Sequence, residues 1–160
     1  MKVFLRRHRF KIVLSFLVVL FIYVSFYMLW VHVPYASRQN ELTYIQEKIC
    51  KDNKYTYDDY FYEYNSDKTY YVMKVKKKKK TMYVAFNEKM EKVKSYSGKV
   101  VGKSVVKNAF IDKYHVKPDK VEMAYENNKI VYYLMYKGKD SLIYAFYEID
   151  SGNFVKAYKL

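Results

Sequence analysis

The sequence predicts an α+β protein: an N-terminal transmembrane helix, then two repeats, each a helix packed on an antiparallel sheet. Three observations predict it. Residues 12–33 form an uninterrupted apolar stretch of 22 residues without Lys, Arg, Asp or Glu. Beyond it, two segments with apolar residues at helical spacing are each followed by several short strand-like runs separated by polar turns. Those two helix-plus-strands units also align with one another, at offsets of 62, 60 and 62 residues.

The apolar stretch sets where the rest of the chain works. A helix rises about 1.5 Å per residue, so 22 residues reach roughly 33 Å, enough for a bilayer core of about 30 Å. A charge at mid-membrane costs about 2.5–3.5 kcal/mol on insertion scales, and this stretch carries none. Arg9 and Lys11 at one end, and Trp30 and Tyr35 at the other, are the expected membrane-interface residues. Lys2, Arg6, Arg7, Arg9 and Lys11 oppose only Arg38 nearby on the far side. The short tail, residues 1–11, is therefore expected in the cytoplasm and residues 34–160 outside. A cleaved signal peptide is the competing reading. Its apolar core is usually about 7–15 residues and ends in small residues. Val33-Pro34-Tyr35-Ala36-Ser37 matches that pattern poorly. A core helix of a soluble protein fits worse, because the stretch is apolar on every face.

The 127 exterior residues hold 25 basic and 16 acidic side chains, a formal charge of +9. That length suits one ordinary domain or two very small ones. A lone cysteine, Cys50, excludes a disulfide scaffold within the chain. Cys50 falls on the same side as Ile45 and Ile49 and reads as a small core residue.

Pro34 can begin a new helix, since its fixed φ suits the first turn. Leu42, Ile45 and Ile49 then recur at helical spacing within residues 36–50. Strands are expected at 57–64 and 69–76, joined by the polar turn Asn65-Ser66-Asp67-Lys68, then at 81–87 and 92–96. Gly98 and Gly102 lie in the following loop. A second helix is expected over 103–115, with Val105, Val106, Ala109, Phe110 and Tyr114 on one side and Pro118 as its stop. Its opening, Gly102-Lys103-Ser104, carries no acid. Strands 120–126, 130–137 and 141–149 follow, with Asn127-Asn128 and Gly138-Lys139 as turns. Asp150-Ser151-Gly152 then leads into a last strand, 154–158.

The internal alignment pairs Tyr70-Tyr71-Val72-Met73-Lys74 with Tyr132-Tyr133-Leu134-Met135-Tyr136. It also pairs Tyr83-Val84-Ala85-Phe86 with Ile143-Tyr144-Ala145-Phe146, and Lys92-Val93-Lys94-Ser95-Tyr96 with Phe154-Val155-Lys156-Ala157-Tyr158. The expected repeats are residues 34–97 and 98–160. A unit of about 60 residues buries little core alone, so two packed copies make physical sense.

No motif for catalysis, a metal or a cofactor is present: no G-x-S-x-G, H-E-x-x-H, Walker loop or dinucleotide fingerprint. His8, His32 and His115 fall on different sides of the expected membrane and cannot form one metal site. Asp58-Asp59 are neighbours on a strand, where adjacent side chains point to opposite faces, so they read as a solvated edge. No catalytic, metal or cofactor-binding residues are therefore expected.

Two features remain as candidate binding sites. Lys76, Lys77, Lys78, Lys79 and Lys80 lie between two strands and read first as a solvated hairpin turn. If they bind, the outside location points to anionic wall polymers or outer-leaflet head groups, and not to nucleic acid. Tyr57, Tyr60, Tyr62 and Tyr64 form the candidate partner-binding segment. Alternation puts Tyr60, Tyr62 and Tyr64 on one strand face and Asp59, Phe61 and Glu63 on the other. One face must pack, and an exposed aromatic face often marks a protein interface.

A short basic tail, one anchor and two such repeats resemble the YpmB/TseB-like cell-wall elongation regulators of low-GC Gram-positive bacteria. The resemblance covers nearly the whole chain. Its most telling pieces are residues 69–74, 82–86 and 140–152, which are strands and turns rather than chemical motifs. It implies cystatin-like, PepSY-related repeats on the outer face of the cell membrane. It also implies a non-enzymatic role supporting an elongation-type penicillin-binding protein in peptidoglycan synthesis, and it brings no catalytic residues.

The leading expectation is thus a single-pass protein, N-terminus cytoplasmic, whose extracellular part binds and modulates a peptidoglycan synthase or another wall-synthesis protein. The alternatives are a PepSY-like protease-inhibitor or folding-assistant module, and electrostatic binding of anionic wall polymers through the +9 exterior.

Overall fold

The computed structural model describes the backbone of residues 2–160 and side chains from Phe10 onward, so the side chain of Arg9 lies outside the described residues. Two compact units make up the chain, Met1–Glu47 and Lys48–Leu160.

Residues 2–53 are helical, running from the first unit into the second. Helix α1 (Lys2–Tyr27) runs into a π-helical segment (Met28–His32) and on into α2 (Val33–Asn53). Pro34 therefore does not begin a new helix, and α2 extends further in both directions than the 36–50 expected. The reason is local. Proline has no N–H to give to the preceding turn, and that turn widens, with the Val33 N–H donating to the Met28 carbonyl. From Phe10 to Val33 every large apolar side chain is 46 to 79 % exposed. The Trp30 ring lies nearly parallel to Phe26, with centroids 6.0 Å apart.

The second unit contains two four-stranded antiparallel sheets, each a simple meander. One has the order β1-β2-β3-β4: Thr56–Asn65, Thr69–Lys77, Lys80–Asn87 and Lys92–Tyr96. The other has the order β5-β6-β7-β8: Lys120–Glu126, Lys129–Lys137, Leu142–Glu148 and Phe154–Lys159. Helix α3 (Lys103–Tyr114) connects them. It starts at Gly102 without a side-chain cap, and His115 ends it in the left-handed conformation, its N–H donating to the Ile111 carbonyl at 2.8 Å. The expected strands and the second helix are all present, with ends shifted by no more than two residues.

Burial explains why the central strands read as almost continuous apolar runs rather than alternating ones. A strand covered on both faces has no solvent side on which to place polar residues. On the second sheet, Met123, Tyr132, Leu134, Ile143, Ala145 and Tyr147 share one core with Val106 and Phe110 of α3. Ala124, Val131 and Phe146, one residue out of phase, pack with Tyr64 and, more openly, with Tyr62 and Tyr70 of the first sheet. In the first sheet, consecutive Tyr71, Val72 and Met73 are all buried, as are Val84, Ala85 and Phe86 of β3. The outer strands β4 and β8 are mostly exposed. Cys50 is partly buried, and burial pushes its thiol pKa up, which suits a packed thiol better than a reactive one.

One glycine has a specific task. Gly152 adopts a left-handed φ of +75°, and a Cβ there would meet Val105 Cγ1 at 3.0 Å. Its N–H closes the β7–β8 turn on the Glu148 carbonyl at 3.0 Å, so a side chain would be both strained and crowded.

Candidate functional site

The aromatic strand β1 is where the two sheets meet. A β-bulge at Asp58 and Asp59 interrupts its pairing with β2, and Asp59 takes a φ of +60°. Both residues are extra relative to β2, since Tyr57 faces Val75 and Tyr60 faces Lys74, so the expected regular alternation does not run through them. The expected solvated edge holds, because β1 is an outer strand and Asp59 is exposed. Asp58 bonds to Lys74 Nζ at 2.9 Å and also to Lys76 Nζ. These two ammonium groups hold its carboxyl below the usual carboxylate range, and Asp58 in turn raises Lys74.

That shift has a defined pH consequence. A depressed folded-state pKa contributes stability above the unfolded value, which is lost as pH falls through the folded value. Asp58 therefore contributes its share at neutral pH and loses it progressively below about pH 5. Asp58→Asn is expected to flatten the fall in Tm between about pH 5 and pH 2, as read by circular dichroism. An unchanged slope would remove the pair from the acid response.

Beyond the bulge, β1 latches onto β5. The Tyr60 hydroxyl donates to Glu122 Oε2 at 3.1 Å and accepts from the Met123 N–H at 2.7 Å. Lys103 Nζ bonds the same Glu122 oxygen at 3.2 Å. Two pleat repeats further on, the Tyr64 hydroxyl donates to Glu126 Oε2 at 3.1 Å. Lys156 Nζ reaches Glu126 Oε1 at 2.6 Å. Between them, the Tyr62 ring lies under Lys120 Nζ, 5.6 Å from its centroid. Burial is the main cause that raises the pKa of both Tyr60 and Tyr64, so both phenols stay protonated donors.

The four tyrosines singled out in the sequence thus have different surroundings. Tyr64 is buried at 6 % exposure, Tyr60 and Tyr62 are partly buried in the seam, and Tyr57 keeps a ring that is 39 % exposed. The face shared by Tyr60, Tyr62 and Tyr64 is the packing face, because it meets β5, whereas Tyr57, across the bulge and opposite Val75, lies on the other face. The glutamates and lysines that complete the seam, Glu122, Glu126 and Lys156, had no distinguishing signal in the sequence beyond their place in a strand.

The five lysines do form a hairpin tip. Lys77 pairs with Lys80 across the β2–β3 turn, and Lys78 and Lys79 both adopt positive φ, 47° and 67°. Lys76 is held by Asp58, and Lys77 Nζ bonds the Asn53 carbonyl at 3.3 Å. Lys78, Lys79 and Lys80 project into solvent. At the expected membrane edge, Lys11, Trp30 and Tyr35 are all exposed, with Trp30 at 72 % and Tyr35 at 65 %.

Among the described residues no three His, Cys, Asp or Glu side chains cluster as a metal site would require. The α1 helix and its continuation are long and apolar enough to cross a membrane. The chain matches no protein-family model, no curated protein and no solved structure.

Proposed function

We propose that this is a single-pass membrane protein whose second unit, outside the cell, binds and modulates a peptidoglycan synthase without catalysing a reaction itself. The observation that carries the anchoring is the apolar helix from Phe10 to Val33, exposed along its whole length. Water would meet some twenty large apolar side chains there, whereas a bilayer would cover them. The basic residues at its N-terminal end favour a cytoplasmic tail.

The family resemblance supplies the partner class, an elongation-type penicillin-binding protein. Duplication of a cystatin-like, PepSY-related unit is part of the same reading. Supporting it, Val72 pairs with Ala85 in one sheet and Leu134 with Ala145 in the other, the same pairs that the internal alignment superposes. A regulator needs a folded, surface-presenting unit rather than a reactive constellation, and the polar groups of the seam are already engaged. The Tyr60 and Tyr64 hydroxyls hold β1 on β5, while Lys103 and Lys156 pair with the glutamates those hydroxyls bond.

A second reading, binding of anionic wall polymers, is favoured by one detail. The tight turns Asn127-Asn128 and Lys78-Lys79 both need left-handed φ at two residues. Asparagine is a common choice for that turn and lysine is not, at a cost of about 1 kcal/mol or more per residue. Retaining two lysines there keeps charge at the tip.

In-cell photocrosslinking of the full chain tests both, with probes replacing the exposed Tyr57, Lys78 and Lys139. A dominant adduct with a penicillin-binding protein is the expected result. Adducts chiefly with an exported protease would replace it with the inhibitor reading, and polymer-only adducts would replace it with the electrostatic one.

A further inference from the structure

The face of the second sheet opposite α3 is covered in part by Tyr62, Tyr64 and Tyr70 of the first sheet. What remains open is a cleft of about 280 Å³, near the lower end of the ~300–1,000 Å³ typical of small-molecule sites. Tyr133, Tyr144, Phe146 and Tyr158 line it, from three successive strands, with the turn residues Asn65 and Ser66 at its rim.

The ring geometry is that of a platform. Tyr133 and Tyr144 are nearly parallel, 21° apart with centroids at 5.9 Å. Tyr158, 52 % exposed, stands edge-on to Phe146 with an interplanar angle of 85°. The polar groups are arranged around these rings rather than among them. The Tyr133 and Tyr144 hydroxyls have no protein partner among the described residues. The Asn65 carbonyl oxygen accepts from Thr69 at 2.8 Å, which leaves its amide N–H groups available.

The lining of the cleft carries no charged side chain, and the lysine beside it is already paired. Lys156 Nζ bonds Glu126 Oε1 at 2.6 Å and donates to the Tyr158 hydroxyl at 2.8 Å. An ionic ligand would have to compete with that pair. A neutral ligand with one apolar face and many hydroxyls around its edge would not.

We propose that this cleft binds a glycan, seating an uncharged pyranose ring on Tyr144 and Tyr158 while the rim hydroxyls and the Asn65 amide bond the sugar hydroxyls. The axial C–H groups of a pyranose carry partial positive charge and pack against the negative face of an aromatic ring, as ring edges do. Access to a wall glycan in the cell rests on the exterior placement proposed above, but binding itself does not. The two therefore fail separately.

The test is calorimetric titration of the full chain in nanodiscs with chitotetraose, cellotetraose and maltotetraose. Saturable binding of at least one is expected, with little change on raising salt. Tyr158→Ala should weaken it about tenfold or more, while Tyr158→Phe, which keeps the ring, should stay within about threefold. Tyr158 is an exposed edge residue, so its loss does not threaten folding, and an unchanged Tm will document that. Tyr144→Ala is the second variant. No saturable binding by any of the three sugars, or binding indifferent to Tyr158→Ala, overturns the proposal. Tighter binding of decaproline than of every sugar also overturns it, in favour of a polyproline groove.

Discussion

Removing residues 1–33 is expected to move the protein from the membrane pellet to the soluble fraction. Fifteen of the 22 residues in 12–33 are Leu, Ile, Phe or Val. Each favours insertion by about 0.3–0.6 kcal/mol near the bilayer centre, several kcal/mol in sum. Intact protein should resist alkaline carbonate and be released by detergent. A single Leu20→Arg costs about 2.5–3.5 kcal/mol and should leave most of the protein inserted, whereas Leu17→Arg with Phe21→Arg should abolish insertion. Protease added to intact cells should digest residues 48–160 and spare an N-terminal tag. Full-length protein in the soluble fraction would end the anchor reading.

The second large effect lies in the core under α3. Phe110 is fully buried, beside Val106 and against Met123, Leu134 and Tyr147, and its ring lies 4.7 Å from that of Tyr114. Truncating it removes a whole ring from a packed site that cannot collapse onto it from a sheet. Phe110→Ala is therefore expected to cost about 3–5 kcal/mol, out of a total of roughly 5–15 kcal/mol for a domain. Val105, on the same helix but 46 % exposed, is the control. Val105→Ala should stay within about 0.5 kcal/mol. Urea unfolding of both variants reads the difference directly. A Phe110→Ala loss below about 1 kcal/mol would mean that α3 does not seat on the second sheet.

The seam shows how function and fold compete for the same residues. A run as aromatic as β1 suggests an interface, and it is one, between two sheets of the same chain. Once Tyr60 and Tyr64 have given their hydroxyls to Glu122 and Glu126, the open aromatic surface passes to β6, β7 and β8. The cleft residues Tyr133, Tyr144 and Tyr158 are spread over 26 positions and carry no motif. Their only sequence signal is a shared strand parity, which also describes an ordinary packing face.

What the sequence determines by itself is whatever depends on neighbours along the chain. Helical and strand periods, the turns at Asn127-Asn128 and Gly152 and the length of the apolar helix are all local patterns. They place eight strands and the second helix to within two residues. The Pro34 expectation missed because an isolated proline signal does not reveal whether the preceding turn will widen to absorb it. The bulge at Asp58 and Asp59 escapes the strand pattern for a related reason, since a bulge is set by how two strands fit together, although the two do lie on an outer strand as expected. Tertiary structure alone decided which tyrosines are covered, which carboxylates meet which lysines, and where an aromatic cleft stays open. Those outcomes depend on residues 18, 30 or 62 positions apart arriving side by side. Free energies of burial and pairing act on that proximity, which the order of residues along the chain does not display.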